Sequence, residues 1–295
     1  MTKSVFSLLF IFLGLSMLLF TACEKEEEAC VESLWYEDSD SDGLGNPDVS
    51  LSSCDQPNGY VADNSDPSDT GAALTPLSAF DEFNPDAVTI SFDGDEITIE
   101  SNGMPNHTSP YWEETHPLYI EPVVAVAQTP GRIGGNRSFT LTVPTAPELA
   151  PTSTATGLGP IGIAVSGVPI FNDTEGPNRP LEAMIAETMD YAGAHNGSSG
   201  YHYHLESFDV PENTVLSHDD EKLIGIMSDG FLIYGRREMD GTYPTDLDES
   251  GGHFGVTQHS NGEEIYHYHI INEFYLGNLI VLFGGDLQGT PNRIF

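Results

Sequence analysis

Two histidine pairs are the residues of this chain best suited to chemistry. Each pair lies in a Tyr-His-Tyr-His tetrapeptide, and the four residues are His202, His204, His267 and His269. On a β-strand, residues i and i+2 point to the same side. Each pair would therefore present two imidazoles to one face and its tyrosines to the other. Two imidazoles on one face can bind one transition-metal ion if a nearby residue completes the site.

Candidate further ligands precede each pair. His195 and His253 are the natural third ligands, and Asp190 and Asp248 each lie five residues before one of them. The aspartates could bind the metal or orient an imidazole through its second nitrogen. Imidazole-dominated sites suit zinc or copper, and three protein ligands would leave one coordination position open. The sequence identifies no catalytic residue and no substrate.

A metal-free interpretation of the same residues is also open. Alternating tyrosine and histidine suits a two-sided strand whose rings pack and hydrogen-bond without an ion. The two interpretations differ in geometry, because a metal site requires the three imidazoles of each group to converge on one point.

The segments that must position these histidines occur twice. Residues 161–172 align with residues 224–235 at an offset of 63, and the Asp-His patterns and the tetrapeptides repeat at offsets of 58 and 65. This duplication predicts two units, about 158–215 and 221–285. Units this small bury little core alone, so we expect one mainly β, pseudo-symmetric domain. Each unit has its own Asp and His, which favours two separate sites over one shared site.

Local patterns predict the remaining elements. Residues 87–99 alternate around Asp93-Gly94, which is typical of a β-hairpin. A helix is predicted between Pro180 and Gly193, and we expect one or two short helices in all.

These residues carry a family resemblance. The doubled tetrapeptide, the strands 167–172 and 229–235, and the segment Ser101-Asn-Gly-Met-Pro-Asn-His107 resemble the bacterial YHYH domain family over about residues 86–295. The resemblance implies a domain of two tandem YHYH repeats and carries no settled activity.

The N-terminus has the pattern of an export signal. Residues 1–22 contain Lys3 and an apolar run before Cys23, which is typical of a signal peptide. The segment Leu19–Cys23 resembles a bacterial lipobox, which implies lipidation of Cys23 and a surface-exposed anchor in the outer membrane. An ordinary cleaved signal peptide is the alternative.

Residues 23–75 are predicted to form an acidic module. If Cys23 is lipidated, Cys30 and Cys54 remain, and an even number in an exported protein favours a disulfide over two free thiols. Between them, alternate carboxylates precede Gly43 and suit Ca²⁺; they are Asp38, Asp40 and Asp42. The module resembles the calcium repeats of thrombospondin type 3, and a solvated acidic linker is the alternative.

Composition excludes some functions. With 9 Lys and Arg against 46 Asp and Glu, the net charge of −37 repels phosphate, which argues against nucleic-acid binding. Two functions remain. The first is a lipoprotein whose β domain binds a transition metal, with or without catalysis. The second is a non-catalytic adhesion module, stiffened by calcium, whose Tyr/His face contacts a glycan or another cell-surface partner.

Overall fold

The computed structural model describes residues 32–38, 45–64, 76–122, 132–134, 137–206, 221–277 and 279–295. Within these ranges the chain is mainly β, with two short helices, as predicted. The signal segment 1–22 and four predicted site residues lie outside the described residues: Cys23, Cys30, Asp40 and Asp42. No helix in the described ranges is both long and apolar enough to span a membrane.

The acidic N-terminal segment contains a small antiparallel sheet. Strand β1 (Ser33–Glu37) lies between β2 (Ser50–Ser53) and β3 (Tyr60–Val61). The indole of Trp35 donates a hydrogen bond to the Ser53 carbonyl at 3.2 Å. Asp38 directly follows β1 and is half-buried, and Cys54 directly follows β2. The calcium site and the disulfide stay predictions, because their other members lie outside the described residues.

The rest of the described chain contains fifteen strands and both helices. The helices are a 3-10 helix, Leu77–Glu82, and α1, Ala183–Ala186. The strands are β4 (Val88–Asp93), β5 (Glu96–Ser101), β6 (Phe139–Pro144), β7 (Leu149–Ala155), β8 (Gly162–Ala164), β9 (Pro169–Ile170), β10 (Thr174–Glu175), β11 (Arg179–Pro180), β12 (Ala194–Gly197), β13 (Gly200–Tyr203), β14 (Leu223–Met227), β15 (Leu232–Tyr234), β16 (Gly252–Val256), β17 (Glu264–His269) and β18 (Asp286–Gly289).

Two of the local predictions can be compared with these elements. The predicted hairpin is confirmed as β4 and β5, although its turn is Gly94-Asp95, one residue later than expected. The predicted helix between Pro180 and Gly193 is wrong in length, because α1 has a single turn. The carboxylate of Asp190 accepts hydrogen bonds from the backbone N–H groups of Ala192 and Ala194. This side chain stabilises a turn where a longer helix would have continued.

One eight-stranded sheet positions the histidines. Its order is β12-β13-β9-β8-β14-β15-β17-β16. One half of the sheet contains β8, β9, β12 and β13, and the other contains β14, β15, β16 and β17. Counted outward from the central pair β8·β14, both halves have the same order, which is the first, second, fourth and third strand along the chain. The neighbouring parallel strands also pair alike, with Ile170 opposite Tyr203 in one half and Ile233 opposite Tyr268 in the other.

The central pair is held close by two glycines. Ile163 lies opposite Ile226, and the pair is antiparallel. A Cβ on Gly162 would lie 2.7 Å from the Ile226 carbonyl oxygen, and one on Gly225 would lie 2.3 Å from that of Ile163. Any other residue at either position would push the two strands apart.

Apolar cores cover the sheet. All four tetrapeptide tyrosines belong to one large buried cluster with Ile224 and Ile233. Leu232 and Tyr234, which alternate with Ile233 along β15, belong to a second cluster that includes the sheet β4-β5-β6. The sheet is therefore buried on both faces, and the histidines share the face opposite the tyrosines.

Candidate metal centres

Four side chains converge at one end of the eight-stranded sheet, and we name them the first cluster. It contains Glu175, His195, His202 and His204, whose ligand atoms all lie within 4.8 Å of one another. His195 on β12 lies directly opposite His202 on β13. His204 follows β13, and Glu175 ends β10. Pairing of β12 with β13 brings His195 to His202, and Glu175 joins the histidines from 29 positions before His204.

The contacts inside the first cluster are short. The Nε2 atoms of His195 and His202 are 3.1 Å apart. Oε1 of Glu175 lies 2.8 Å from Nε2 of His195 and 3.1 Å from Nε2 of His204. In a tetrahedral zinc site with bonds of about 2.0 Å, ligand atoms are about 3.3 Å apart. The spacing is close to that of ligands around one ion.

Hydrogen bonds at Nδ1 orient all three imidazoles of the first cluster. The acceptors are the Gly200 carbonyl for His202 at 2.8 Å, the Asn172 carbonyl for His204 at 2.5 Å and Oγ1 of Thr188 for His195 at 2.8 Å. The Thr188 hydroxyl donates its own proton to the Ile185 carbonyl, so it accepts from the imidazole. Each neutral ring thus carries its proton on Nδ1 and directs the lone pair of Nε2 inward, as metal binding requires.

Two atoms of the first cluster are buried without a hydrogen-bond partner among the described residues. They are Oε1 of Glu175 and Nε2 of His204. Leaving such atoms unpaired costs about 1–3 kcal/mol each, and native proteins avoid this unless an ion or water is bound. The donor set and its unpaired atoms fit a metal ion.

The second cluster lies in the other half of the sheet. It contains Glu238, His253, His267 and His269, again with all ligand atoms within 4.8 Å. His253 on β16 lies directly opposite His267 on β17. The Nε2 atoms of His267 and His269 are 3.0 Å apart. Glu238 lies 3.3 Å from Nε2 of His253 through Oε1 and 3.6 Å from Nε2 of His269 through Oε2.

The second cluster is oriented in the same way. The Nδ1 acceptors are the Ile265 carbonyl for His267 at 3.0 Å, the Gly235 carbonyl for His269 at 2.7 Å and Oδ1 of Asp246 for His253 at 2.9 Å. Nε2 of His253 is buried and has no hydrogen-bond partner in the described part of the chain. An aromatic ring also packs on each cluster: Phe171 stacks on His202 at 4.0 Å, and Tyr234 meets His267 edge-on at 5.4 Å.

Burial keeps several of these imidazoles neutral. Desolvation lowers the pKa of His202 and of His267 to about 3 and the pKa of His269 to about 4. Neutral imidazole is the form that binds metals. Burial also raises the pKa of Glu238.

The predicted aspartate ligands lie elsewhere. Asp190 is buried and accepts hydrogen bonds from the hydroxyls of Ser109 and Tyr201, both at 2.6 Å. Asp248 accepts one from the hydroxyl of Tyr266 at 2.6 Å. Each also binds backbone N–H groups of the following turn. Both aspartates therefore stabilise the tyrosine side of the sheet, and neither belongs to a histidine cluster.

The glutamates were missed by the sequence analysis, although a signal for them exists. Glu175 and Glu238 are separated by 63 residues, the offset that relates 161–172 to 224–235. Extended by three residues, that alignment includes both. The aspartates lie close to the histidines in sequence, whereas the glutamates reach the site from the preceding strand connection.

The other three described histidines lie outside the clusters. His107 bonds the Tyr203 hydroxyl at 2.9 Å on the tyrosine side. His116 stacks on Trp112 at 3.9 Å, and His259 bonds the Tyr234 hydroxyl at 2.9 Å. His218 lies outside the described residues.

Comparison with known families adds one finding. The family model described as "YHYH protein" matches residues 140–244. The chain contains a YHYH domain. The matched part of the YHYH domain includes the whole first cluster and Glu238, and it ends before the three histidines of the second cluster. No curated protein and no solved structure matches the chain.

Proposed function

We propose that this protein binds two transition-metal ions, one at each three-histidine, one-glutamate cluster. The observation that carries the proposal is the orientation of the six imidazoles. Every Nδ1 is bonded to an oxygen acceptor, so the six Nε2 lone pairs are left to converge in two groups of three. Packing alone gives no reason for lone pairs to face one another at about 3 Å.

The donor set narrows the choice of metal. Three imidazoles and one carboxylate suit zinc and copper among the divalent ions. Four protein ligands complete a tetrahedral zinc site, as in sites that bind rather than catalyse. The glutamate side chains are the most exposed members, at 24% for Glu175 and 20% for Glu238. With all four positions filled by protein ligands, metal binding without catalysis is the function we propose.

Elemental analysis of the protein purified without a His tag tests the proposal. We expect two ions per chain. The double variant His202→Ala/His204→Ala should retain one ion, and so should His267→Ala/His269→Ala. His116→Ala is the matched control, since His116 stacks on Trp112 outside both clusters, and it should retain both ions. A wild-type chain without bound metal after exposure to zinc and to copper would refute the proposal.

The Tyr/His face that suggested the adhesion alternative is buried. Tyr201, Tyr203, Tyr266 and Tyr268 are each at most 8% exposed, and the four histidines of the tetrapeptides are at most 4% exposed. The tetrapeptides therefore present no open aromatic face to a glycan or to another cell-surface partner. An adhesive function would have to use a different surface.

We further propose that the two halves of the eight-stranded sheet are a pseudo-symmetric pair. The shared strand order supports this. The register of β8·β14 supports it further, since Ile163 and Ile226 are equivalent at the offset of 63 and lie opposite each other. Gly162 and Gly225 are also equivalent, and each closely approaches the partner strand. A two-fold relation produces this self-complementary pairing.

For the N-terminal region, we propose a lipid anchor at Cys23 in the outer membrane, with the protein exposed at the cell surface. The lipobox-like segment before Cys23 supports this. Replacement of Cys23 by Ser should abolish acylation and release the protein from the membrane fraction. Unchanged fractionation would argue against the anchor.

The acidic module is proposed to bind Ca²⁺ through Asp38, Asp40 and Asp42 and to contain a Cys30–Cys54 disulfide. The alternating carboxylates support the first point, and the even number of remaining cysteines supports the second. Calcium should slow proteolysis of residues 23–70, and Asp40→Ala should remove the protection. Equal cleavage rates with calcium and with chelator would count against the site. Mass analysis of the unreduced module tests the disulfide.

A further inference from the structure

We infer that the second cluster binds its metal ion more tightly than the first, because Asp246 holds His253 where Thr188 holds His195. The inference rests on the proposed metal-binding function and adds an order of filling to it. Asp246 and Thr188 touch no ligand atom at the centre of either cluster, so both are positioning residues.

The two clusters differ in the type of group that accepts the Nδ1 proton of one imidazole. Thr188 and Asp246 each lie seven residues before the histidine that they bond, so they occupy equivalent positions. Their distances to Nδ1 are nearly equal, 2.8 Å for Thr188 and 2.9 Å for Asp246. The other four Nδ1 atoms all donate to backbone carbonyls. The chemical difference is therefore a neutral hydroxyl in one cluster and a carboxylate in the other.

A carboxylate at this position strengthens the metal bond. It accepts the Nδ1 proton more strongly than a hydroxyl does, because the hydrogen bond is charge-assisted. This withdraws the proton from the ring and makes Nε2 a better donor. The carboxylate also adds a negative charge near the ion. Thr188 can do neither, since its oxygen is neutral and its own proton is donated to the Ile185 carbonyl.

The positions of the glutamates favour tighter metal binding at the first cluster, which is the opposite order. Glu175 lies 2.8 and 3.1 Å from its two imidazoles, whereas Glu238 lies 3.3 and 3.6 Å from its own. The glutamate of the first cluster thus lies closer to its imidazoles before any ion binds. Both glutamates are partly exposed, so a rotation that closes a few tenths of an ångström costs little. The exchange of a hydroxyl for a carboxylate cannot be relaxed in this way, and its effect should prevail.

Exposure sets the size of the effect. Partners of ligating histidines typically change metal affinity by about 10- to 100-fold. The Asp246 side chain is 69% exposed, so solvent screens its charge beyond the direct hydrogen bond. We therefore expect a difference of about tenfold, at the lower end of that range. At limiting zinc the second cluster fills first, and the first cluster holds the more readily exchanged ion.

Zinc titration of full-length single-cluster variants tests the inference. His202→Ala/His204→Ala leaves the second cluster intact, and His267→Ala/His269→Ala leaves the first. Competition with a chromophoric chelator gives the Kd of each, and we expect that of the second cluster to be about tenfold lower. Adding Asp246→Thr to the second-cluster protein should raise its Kd about tenfold.

The reciprocal change excludes a merely structural explanation. Adding Thr188→Asp to the first-cluster protein should lower its Kd, and a gain in affinity cannot result from damage to the fold. Equal Kd values for the two clusters, or a first-cluster Kd that Thr188→Asp leaves unchanged, would overturn the inference and leave the proposed function intact. Failure of both single-cluster proteins to bind either zinc or copper would overturn the proposed function as well.

Discussion

The two faces of the tetrapeptide strands are equally buried and differ in how their polar groups are satisfied. Each tyrosine hydroxyl has a partner: Asp190 for Tyr201, Ser166 and His107 for Tyr203, Asp248 for Tyr266 and Asp229 for Tyr268. On the histidine face, three buried atoms have no hydrogen-bond partner among the described residues; they are Oε1 of Glu175, Nε2 of His204 and Nε2 of His253. A network in which every buried polar group is paired stabilises a fold. A network whose unpaired atoms all lie on one face indicates a missing ligand there.

Removal of zinc should give the largest effect, and of the two faces it acts on the histidine face alone. Binding of an ion to the folded chain only, at a free concentration of about 1,000 times Kd, stabilises it by about 4 kcal/mol per site. Urea unfolding with zinc and with a chelator should therefore give clearly different midpoints. Coincident midpoints would contradict this distinction between the faces, because the histidine face would then contribute no metal-dependent stability.

The next effect is expected on the tyrosine face and should be independent of metal. Asp229 is buried and accepts hydrogen bonds from the Tyr268 hydroxyl at 2.6 Å and from the Gly289 N–H at 3.0 Å. Asp229→Ala leaves both donors buried and unpaired, so the free energy of unfolding should fall by about 3 kcal/mol. The variant should still bind two zinc ions in elemental analysis. Loss of the second ion would mean that the two faces are not separable.

The smallest effect compares two tyrosines in equivalent positions. The Tyr268 hydroxyl donates to the carboxylate of Asp229, whereas that of Tyr203 bonds the neutral groups of Ser166 and His107. Hydrogen bonds to a charged group contribute more. Tyr268→Phe should therefore cost about 2 kcal/mol and Tyr203→Phe about 1 kcal/mol in chemical denaturation. The opposite ranking would contradict this account of the tyrosine face.

The sequence predicted those parts of the site that depend on local periodicity. Alternation along a strand is sufficient to place His202 with His204, and Tyr203 on the other side. The duplicated pattern was sufficient to associate His195 with the first pair and His253 with the second. The structure brings together both histidine trios. Repeated sequence therefore carried more information than any single motif.

Interactions that are not local escaped the sequence analysis. Its closeness to His195 along the chain predicts Asp190 as a metal ligand, but its carboxylate accepts hydrogen bonds from the turn that follows it and from the Tyr201 hydroxyl. Glu175 reaches His195 because β10 follows β9, which pairs with β13. Strand order decides such contacts, and the amino-acid pattern of a strand does not specify which strand lies next to it.

The central strand pair has a consequence for how the protein can assemble. Without β14, the strand β8 would expose a free edge of backbone N–H and C=O groups, which promotes association with other chains. Two unlinked halves would cover this edge only after a diffusional encounter, and their pairing would weaken on dilution. Linked in one polypeptide, the halves meet at an effective concentration fixed by the connecting segment. The sheet can therefore stay complete in a monomer at low protein concentration.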